Sequence, residues 1–314
     1  MLRVLLTNDD GIGAPGLSAL ARRLAPRCEL LIVAPERQSS AMGQSITLHK
    51  PLRVRPVPAL FHAVPAAKPI EAYECSGTPA DCVIVALHYL FADRLPQLVL
   101  SGINDGCNVA QDLVYSGTVG GALEGSVNGI PGLAFSLLGH SATDFDQAAE
   151  AIDLLVSMLV YGRICSWQAG LAATWTANAE HSPSMLWSWP LPATAAGEPP
   201  DGTYPVPGAW MPQLNHSAPC FNVNLPDAPS WQLCGICWTR PGRRKYTDIV
   251  KQVYDPRGEP YYWIAGDRVH ETLELGTDTH ALAQGYLSVS PISYDLGIPG
   301  RIEQLASWML ERKS

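Results

Sequence analysis

Two adjacent carboxylates, Asp9 and Asp10, end the first hydrophobic run of the chain, Val4-Leu5-Leu6-Thr7-Asn8-Asp9-Asp10-Gly11. Like charges at neighbouring positions beside an apolar sheet repel, and desolvation disfavours both charged forms, so one acid should protonate unless a positive partner sits between them. A hard divalent cation resolves the conflict by taking oxygen ligands from both. The plainer alternative is that one of the two only caps the following helix, since Asp is a favoured N-cap and negative charge suits a helix N-terminus. A second chemical signature is Tyr115-Ser116-Gly117-Thr118-Val119-Gly120-Gly121-Ala122, two small hydroxyl residues around a glycine, running into a helical pattern over Ala122–Asn128. A helix N-terminus with capping hydroxyls is a ready anion site, although an ordinary Ser/Thr cap would use the same residues. The amide-rich run Ser101-Gly102-Ile103-Asn104-Asp105-Gly106-Cys107-Asn108, a dozen residues earlier, favours the anion.

Positioning these groups requires strand ends. Arg3–Thr7 is a predicted strand, Pro15–Leu24 a helix with Leu17, Leu20, Ala21 and Leu24 at helical spacing, and Glu29–Ala34 a second buried strand. That unit is βαβ, with a right-handed crossover. Pro79–Phe91 is a predicted helix with Thr78 as N-cap, and Gln97–Ser101 a further strand. Alternating strands and helices predict an α/β fold with a largely parallel sheet, in which ligands collect beyond the carboxyl ends of the strands. The rule groups Asp9 and Asp10 with the loop Pro35–Ser40 and with Ser101–Asn108.

Composition narrows the chemistry. The 314 residues are 47% hydrophobic and 16% charged, an ordinary globular balance with room for a sizeable core. A net charge of -8 and a pI of about 5.4 argue against a nucleic-acid polymer as partner, because that affinity rests on clustered Lys and Arg. No run approaches the length of a membrane span, and Met1–Leu6 is too short for a signal h-region, so the expectation is a soluble, cytoplasmic protein with no membrane partner. The eight cysteines are scattered and predicted to be reduced. Cys234-Gly235-Ile236-Cys237 has CxxC spacing, but no second pair accompanies it, and Trp231–Thr239 has the pattern of a strand. A dinucleotide site at Gly11-Ile12-Gly13-Ala14-Pro15-Gly16 is disfavoured, because carboxylates stand where a pyrophosphate needs bare amides and Pro15 removes an N–H. No Walker loop occurs.

The second half is less regular. Asp144–Tyr161 is a predicted amphipathic helix, whereas 166–219 is rich in Trp and Pro (PLPATAAGEPPDGTYPVPGAWMP), a composition of turns and extended chain. Strand patterning returns at Phe221–Leu225 and Leu233–Thr239, followed by four basic residues within Arg240–Lys245, either an attractor of anionic substrates or a solvated turn.

The runs TNDDGIGAPG, VAPERQSSAMGQSITL, SGTPADCV and SGINDGCNVAQDLVYSGTVGGALEG, with the later DPRG and YYWIAG, closely resemble the SurE family of divalent-metal-dependent nucleotidases, which hydrolyse nucleoside 5′- or 3′-monophosphates. The resemblance covers about 1–160 and 220–290. It implies a Rossmann-like, doubly wound, mostly parallel sheet and a C-terminal hairpin and helix arm, about Asp248–Ile264 and Arg301–Arg312, exchanged between subunits of a homodimer or homotetramer. Three segments follow: a metal-dependent phosphatase core over 1–165, an insertion over 166–219 relative to typical members, and return strands with the arm over 220–314. The insertion is expected either to pack its Trp residues on the core or to form a contact surface. The resemblance also implies one divalent ion per subunit, Mg²⁺, Mn²⁺ or Ca²⁺, held by Asp9, Asp10, Ser40 and Asn104, with Asn108, Ser116, Gly117 and Thr118 placing the substrate phosphate. Hard oxygen donors of this kind agree with such an ion. Asp9 or Asp10 would take the proton of an attacking water, with no signal choosing between them. A covalent phosphoaspartate is the disfavoured route, since phosphatases of that type carry D-x-D rather than the DDG found here. A non-catalytic nucleotide or metal-binding regulator is the alternative function. His270, Asp278 and His280 in the arm are expected to be structural.

Overall fold

Leu2–Thr7 (β1) is apolar on both sides: Val4 and Leu6 enter one hydrophobic core and Leu5 the other, as befits a strand covered on both faces. Pro15–Leu24 (α1) starts with Pro at its first turn and buries Leu17, Leu20, Ala21 and Leu24, and Cys28–Pro35 (β2) returns parallel to β1. The computed structural model describes residues 1–139, 144–161, 163–165, 203–205, 218–227, 233–247, 250–264 and 268–295. Most of the 166–219 segment and the predicted helix at Arg301–Arg312 lie outside the described residues.

Val54–Pro56 (β3) and Glu71–Cys75 (β4) extend the sheet beyond β2, with β3 antiparallel at the edge. Growth then switches sides. After Pro79–Val85 (α2), Leu98–Asp105 (β5) pairs with the opposite flank of β1. Gly117–Val127 (α3), Gly132–Leu137 (β6), Asp144–Tyr161 (α4) and Cys220–Leu225 (β9) continue in that direction. The short strands Arg163–Cys165 (β7) and Thr203–Pro205 (β8) form a separate antiparallel pair. Ile236–Trp238 (β10) and Leu287–Ile292 (β15) close the sheet, β15 antiparallel to β9. The order β10-β15-β9-β6-β5-β1-β2-β4-β3 makes nine strands in one sheet. Helices α1 and α4 pack together on one face, α2 and α3 on the other. The fold is the expected α/β architecture, and its topological switch point falls between β1 and β5, where the crevice beyond the strand ends opens.

Three differences from the expected elements bear on the site. The strand expected at Gln97–Ser101 continues to Asp105, and its pairing with β6 slips between Ser101 and Asn104. Such an irregularity re-aims the side chains beyond it, here Asn104 and Asp105. The helix expected from Ala122 starts at Gly117, because the Ser116 hydroxyl accepts from the Val119 N–H at 3.1 Å and caps it. The helix expected over Pro79–Phe91 is α-helical to Val85 and widens into a π turn over Ala86–Leu90. Of the strand expected at Trp231–Thr239, Ile236–Trp238 is present.

Outside the sheet, Arg243–Thr247 (β11) pairs antiparallel with Arg268–Thr272 (β14), and Val250–Tyr254 (β12) with Pro260–Ile264 (β13) in a hairpin that leaves Tyr262, Trp263 and Ile264 exposed. The short helix Asp278–Ala283 (α5) precedes β15. Among the described residues no helix is long and apolar enough to cross a membrane.

Helix α3 lies unusually close to the sheet because of its glycines and those facing it. A Cβ at Gly132 of β6 would come within 2.1 Å of the Ala122 carbonyl oxygen on α3. Gly132→Ala should therefore push α3 outward and destabilise the protein by about 1–3 kcal/mol, the usual cost of overpacking. Urea unfolding measures this, and an unchanged midpoint would contradict the contact.

Candidate active site

The turn after β1 is closed by Asn8, which is fully buried. Its side-chain NH2 donates to the Gly11 carbonyl at 2.9 Å and its side-chain oxygen accepts from the Gly11 N–H at 3.2 Å. Gly11 has a φ of +100°, a backbone state that a Cβ would strain. This clamp fixes the direction in which the next two acids leave the strand.

Asp9 is 3% exposed. Its Oδ1 accepts from the Thr118 hydroxyl at 2.5 Å, and its main-chain oxygen accepts from the Ser39 N–H at 2.7 Å. Burial raises its pKa, while the Thr118 hydroxyl and the first amides of α3, at Thr118 and Gly117, work in the opposite direction. Helix α3 reaches Asp9 this closely only because residue 117 is glycine: a Cβ there would stand 2.9 Å from the Asp9 Cβ and 3.1 Å from the Ser39 carbonyl oxygen. Asp10 is more open and borders a cleft. Burial, and then the Asp9 charge, push its carboxyl up to about 6. The Asp105 N–H lies 3.4 Å from its Oδ2. Among the described residues no Lys or Arg pairs with either acid.

Asn104 sits at the end of β5, one residue before Asp105, whose N–H faces Asp10. Its NH2 donates to the Gly106 carbonyl at 2.7 Å, which leaves the side-chain oxygen as its remaining ligand atom. The loop after β2 approaches through Ser39, whose N–H holds Asp9, while Ser40 next to it is exposed. That loop is anchored at several points. Gly43 N–H donates to the Tyr115 carbonyl at 2.8 Å, and Gln44 donates to Glu124 at 3.0 Å. Asp81, 2% exposed, accepts from the Thr47 N–H and hydroxyl at 2.8 and 2.7 Å while closing a capping box with Thr78 on α2.

Asn108 is positioned from β9. Its N–H donates to Asn224 Oδ1 at 2.8 Å, its carbonyl accepts from Asn222 and Asn224 at 2.8 and 3.0 Å, and its own NH2 donates to the Ser136 hydroxyl at 2.8 Å. Ser116, Gly117 and Thr118 are buried at the start of α3, with Thr118 directed at Asp9 rather than at the cleft.

Sequence reasoning missed Asn8, Asp81, Asn222 and Asn224 as positioning residues. The signal for the last two was the polar alternation of FNVNL in a strand buried along its whole length. The basic cluster after β10 is not a free anion attractor throughout. Arg244 is bound to Asp112 at 2.8 Å and to Glu271, and Arg240 to Glu274. Asp278, fully buried, accepts from the Ala110 and Gly242 N–H groups at 2.9 and 2.7 Å, a structural tie between α5 and the Asn108 loop. His280 is the third residue of α5, its N–H donating to the Thr277 cap, while for His270 only the backbone is described. Cys234 and Cys237 are free thiols, and burial pushes Cys237 up to about 11, the opposite of an activated thiolate.

The family described as Survival protein SurE matches residues 4–248. The chain is 38% identical to a 5′-nucleotidase SurE of Moorella thermoacetica, over 98% of this chain and 95% of that protein. It is 36% identical to a 5′-nucleotidase SurE of Synechococcus elongatus, over 97% and 98% respectively. The crystal structure of a SurE protein from Aquifex aeolicus superposes with a TM-score of 0.66 at 29% identity, covering 98% of this chain and 99% of that one. With a sheet switch point, a paired-acid turn and a full-length sequence match all in agreement, the chain belongs to the SurE family.

Proposed function

We propose that the chain is a metal-dependent phosphomonoesterase that hydrolyses nucleoside 5′-monophosphates, and 3′-monophosphates as well, to nucleoside and phosphate. The observation that carries this reading is the paired acids at the switch point, Asp9 held by the hydroxyl-capped start of α3 and Asp10 against the end of β5, in a chain whose relatives are named 5′-nucleotidases.

The donor set fits one divalent ion. Two neighbouring acids raised by burial, one by the charge of the other as well, and without a Lys or Arg partner, are the electrostatic problem that a cation relieves. Asp9, Asp10, the Ser40 hydroxyl and the Asn104 amide oxygen are hard ligands suited to Mg²⁺, Mn²⁺ or Ca²⁺. When bound, the ion supplies Lewis acidity toward a phosphate oxygen and acidifies the attacking water. The Thr118 hydroxyl and the Gly117 and Thr118 amides hold Asp9 in one orientation, so little reorganisation is needed as charge develops. Asp10, facing the cleft, is the acid that water can reach and the one we assign to take its proton. The water oxygen forms the new P–O bond, the ester P–O bond breaks, and the departing sugar oxygen takes a proton from solvent. Of the groups expected to place the phosphate, the Asn108 amide and the Ser116 hydroxyl are the ones we assign to it, because Gly117 and Thr118 are turned to Asp9. Asp9 is a poor nucleophile for a covalent route, being 3% exposed with one oxygen engaged by Thr118.

The assembly we propose is a homodimer or homotetramer in the cytoplasm. An exposed hairpin carrying Tyr262, Trp263 and Ile264 is more apolar than a monomer surface requires.

Three outcomes test this reading. Phosphate release from AMP should vanish with EDTA and return with Mg²⁺ or Mn²⁺; persistence in chelator would refute metal dependence. Asp9→Asn and Asp10→Asn should each lower kcat/KM by about 10²-fold or more, on the scale of removing a preorganised electrostatic group, measured by steady-state phosphate release. Sedimentation velocity of Trp263→Glu should show a smaller species than wild type, and an unchanged oligomer would remove the hairpin from the interface.

A further inference from the structure

The two groups assigned to the phosphate, Asn108 and Ser116, are joined by a short connector that a buried acid from far along the chain holds in place. Asn108 is fastened to β9, and Ser116 to α3 as its cap. Between them Ala110 has a φ of +52°, the left-handed region that a residue with a Cβ rarely keeps unless its surroundings impose it. It opens the 3-10 turn Ala110–Val114 and is buried, and its N–H donates to Asp278 Oδ2 at 2.9 Å. The other oxygen of Asp278 accepts from the Gly242 and Thr279 N–H groups at 2.7 and 2.8 Å. Burial raises the Asp278 pKa, and these three amides and the Arg244 charge work against that. A carboxylate in this position makes stronger bonds than a neutral acceptor would. The rest of the connector is gripped from the same side. Arg244 donates to the Gln111 side chain at 2.9 Å through its main-chain N–H and to Asp112 at 2.8 Å through its guanidinium, and Tyr246 donates to Asp112 at 2.6 Å.

We propose that Asp278 is a positioning residue for phosphate binding, which sets Asn108 and Ser116 relative to each other by holding Ala110 in its left-handed conformation. The proposal rests on the phosphomonoesterase reading above. It gives Asp278 a role beyond joining α5 to the loop, because its bond stabilises a backbone state that alanine does not adopt by preference. Released from Asp278, Ala110 gains by turning back to a negative φ. The chain is anchored to β9 on one side and to α3 on the other, so such a rotation displaces one phosphate group relative to its partner. Asp9, Asp10 and Asn104 lie outside the connector, so affinity for phosphate falls more than the rate of the chemical step. Asparagine at 278 keeps the shape of the acid but only one acceptor oxygen. Two N–H groups claim the Oδ1 position, so the new NH2 faces the Ala110 N–H, and that bond is the one lost.

The test measures KM and kcat for AMP, and by calorimetry the Kd of inorganic phosphate, in the Mn²⁺-loaded full-length protein and in Asp278→Asn, Ala110→Gly and the double variant. Asp278→Asn should raise KM and the phosphate Kd about tenfold, the scale of losing a bond to a charged group, with kcat within about twofold of wild type. Glycine takes a positive φ without strain, so Ala110→Gly alone should stay within about twofold of wild type, and in the double variant the loss should shrink to about threefold or less. A general loss of stability would instead lower the active fraction, and so kcat, and leave KM alone; the KM shift and its rescue therefore separate positioning from a structural defect. Should Asp278→Asn not fold, Gly242→Ala reaches the same carboxylate from outside, its Cβ 2.9 Å from Asp278 Oδ1, and should raise KM and the phosphate Kd in the same way. Unchanged KM and phosphate Kd in the folded variant, or a loss that Ala110→Gly leaves undiminished, would overturn the positioning role alone. A metal-loaded wild type that releases no phosphate from AMP would overturn the phosphomonoesterase reading and this role with it.

Discussion

Burying a carboxylate at the end of a central strand is the constraint around which the rest of this structure is arranged. Asp9 lies where desolvation disfavours its charge. The fold answers with the start of α3: a hydroxyl from Thr118 and the first amides of a helix whose dipole favours an anion. For that answer to reach Asp9, the helix must lie almost against the strand ends. Glycine at 117 permits the approach to Asp9, and glycine at 120 permits the approach to the Gly43 carbonyl, 2.4 Å from where a Cβ would be. A helix interior rich in glycine is intrinsically poor, so α3 depends on its packing and its Ser116 cap rather than on propensity.

The surrounding loops follow from the same requirement. The segment after β2 has little regular structure, yet it bonds to Asp9, to Tyr115, to Glu124 and, through Thr47, to Asp81. Each tie ends on an element already fixed by the sheet, so an irregular loop acquires the order of a scaffold. Asn108 is treated likewise, its main chain gripped by two asparagines from a strand more than a hundred residues later. These contacts replace bonds to water for the Asn224 side chain and the Asn222 NH2, while the Asn222 Oδ1 is buried without a hydrogen-bond partner.

A division of labour between the two acids results. Asp9 is enclosed and oriented, whereas Asp10 borders an open cleft and feels both Asp9 and Asp105. The two lie side by side in the bend after β1, and what packs on each differs: Thr118 closes on Asp9, while Asp10 lines the cleft. The turn therefore offers one acid enclosed by protein and one open to solvent.

Much of this was legible in the chain itself. Apolar runs ending in Asp9 and Asp10, the βαβ alternation and the Ser-Gly-Thr step identified the fold class, the family and the strand ends that matter, because burial periodicity and strand-end chemistry are local properties. The sequence did not show that β5 runs on through Asn104 to Asp105, since the slip in pairing depends on β6 as its neighbour. Nor did it show that Arg244 is taken up by Asp112 and Glu271, or that Asp81 anchors the loop carrying Ser40, because hydrogen bonds between distant residues leave no periodic trace. Composition and spacing along one chain determined which groups could do chemistry; only the tertiary structure decided which acid is enclosed and which faces the cleft, because desolvation depends on what the rest of the chain packs against each side chain.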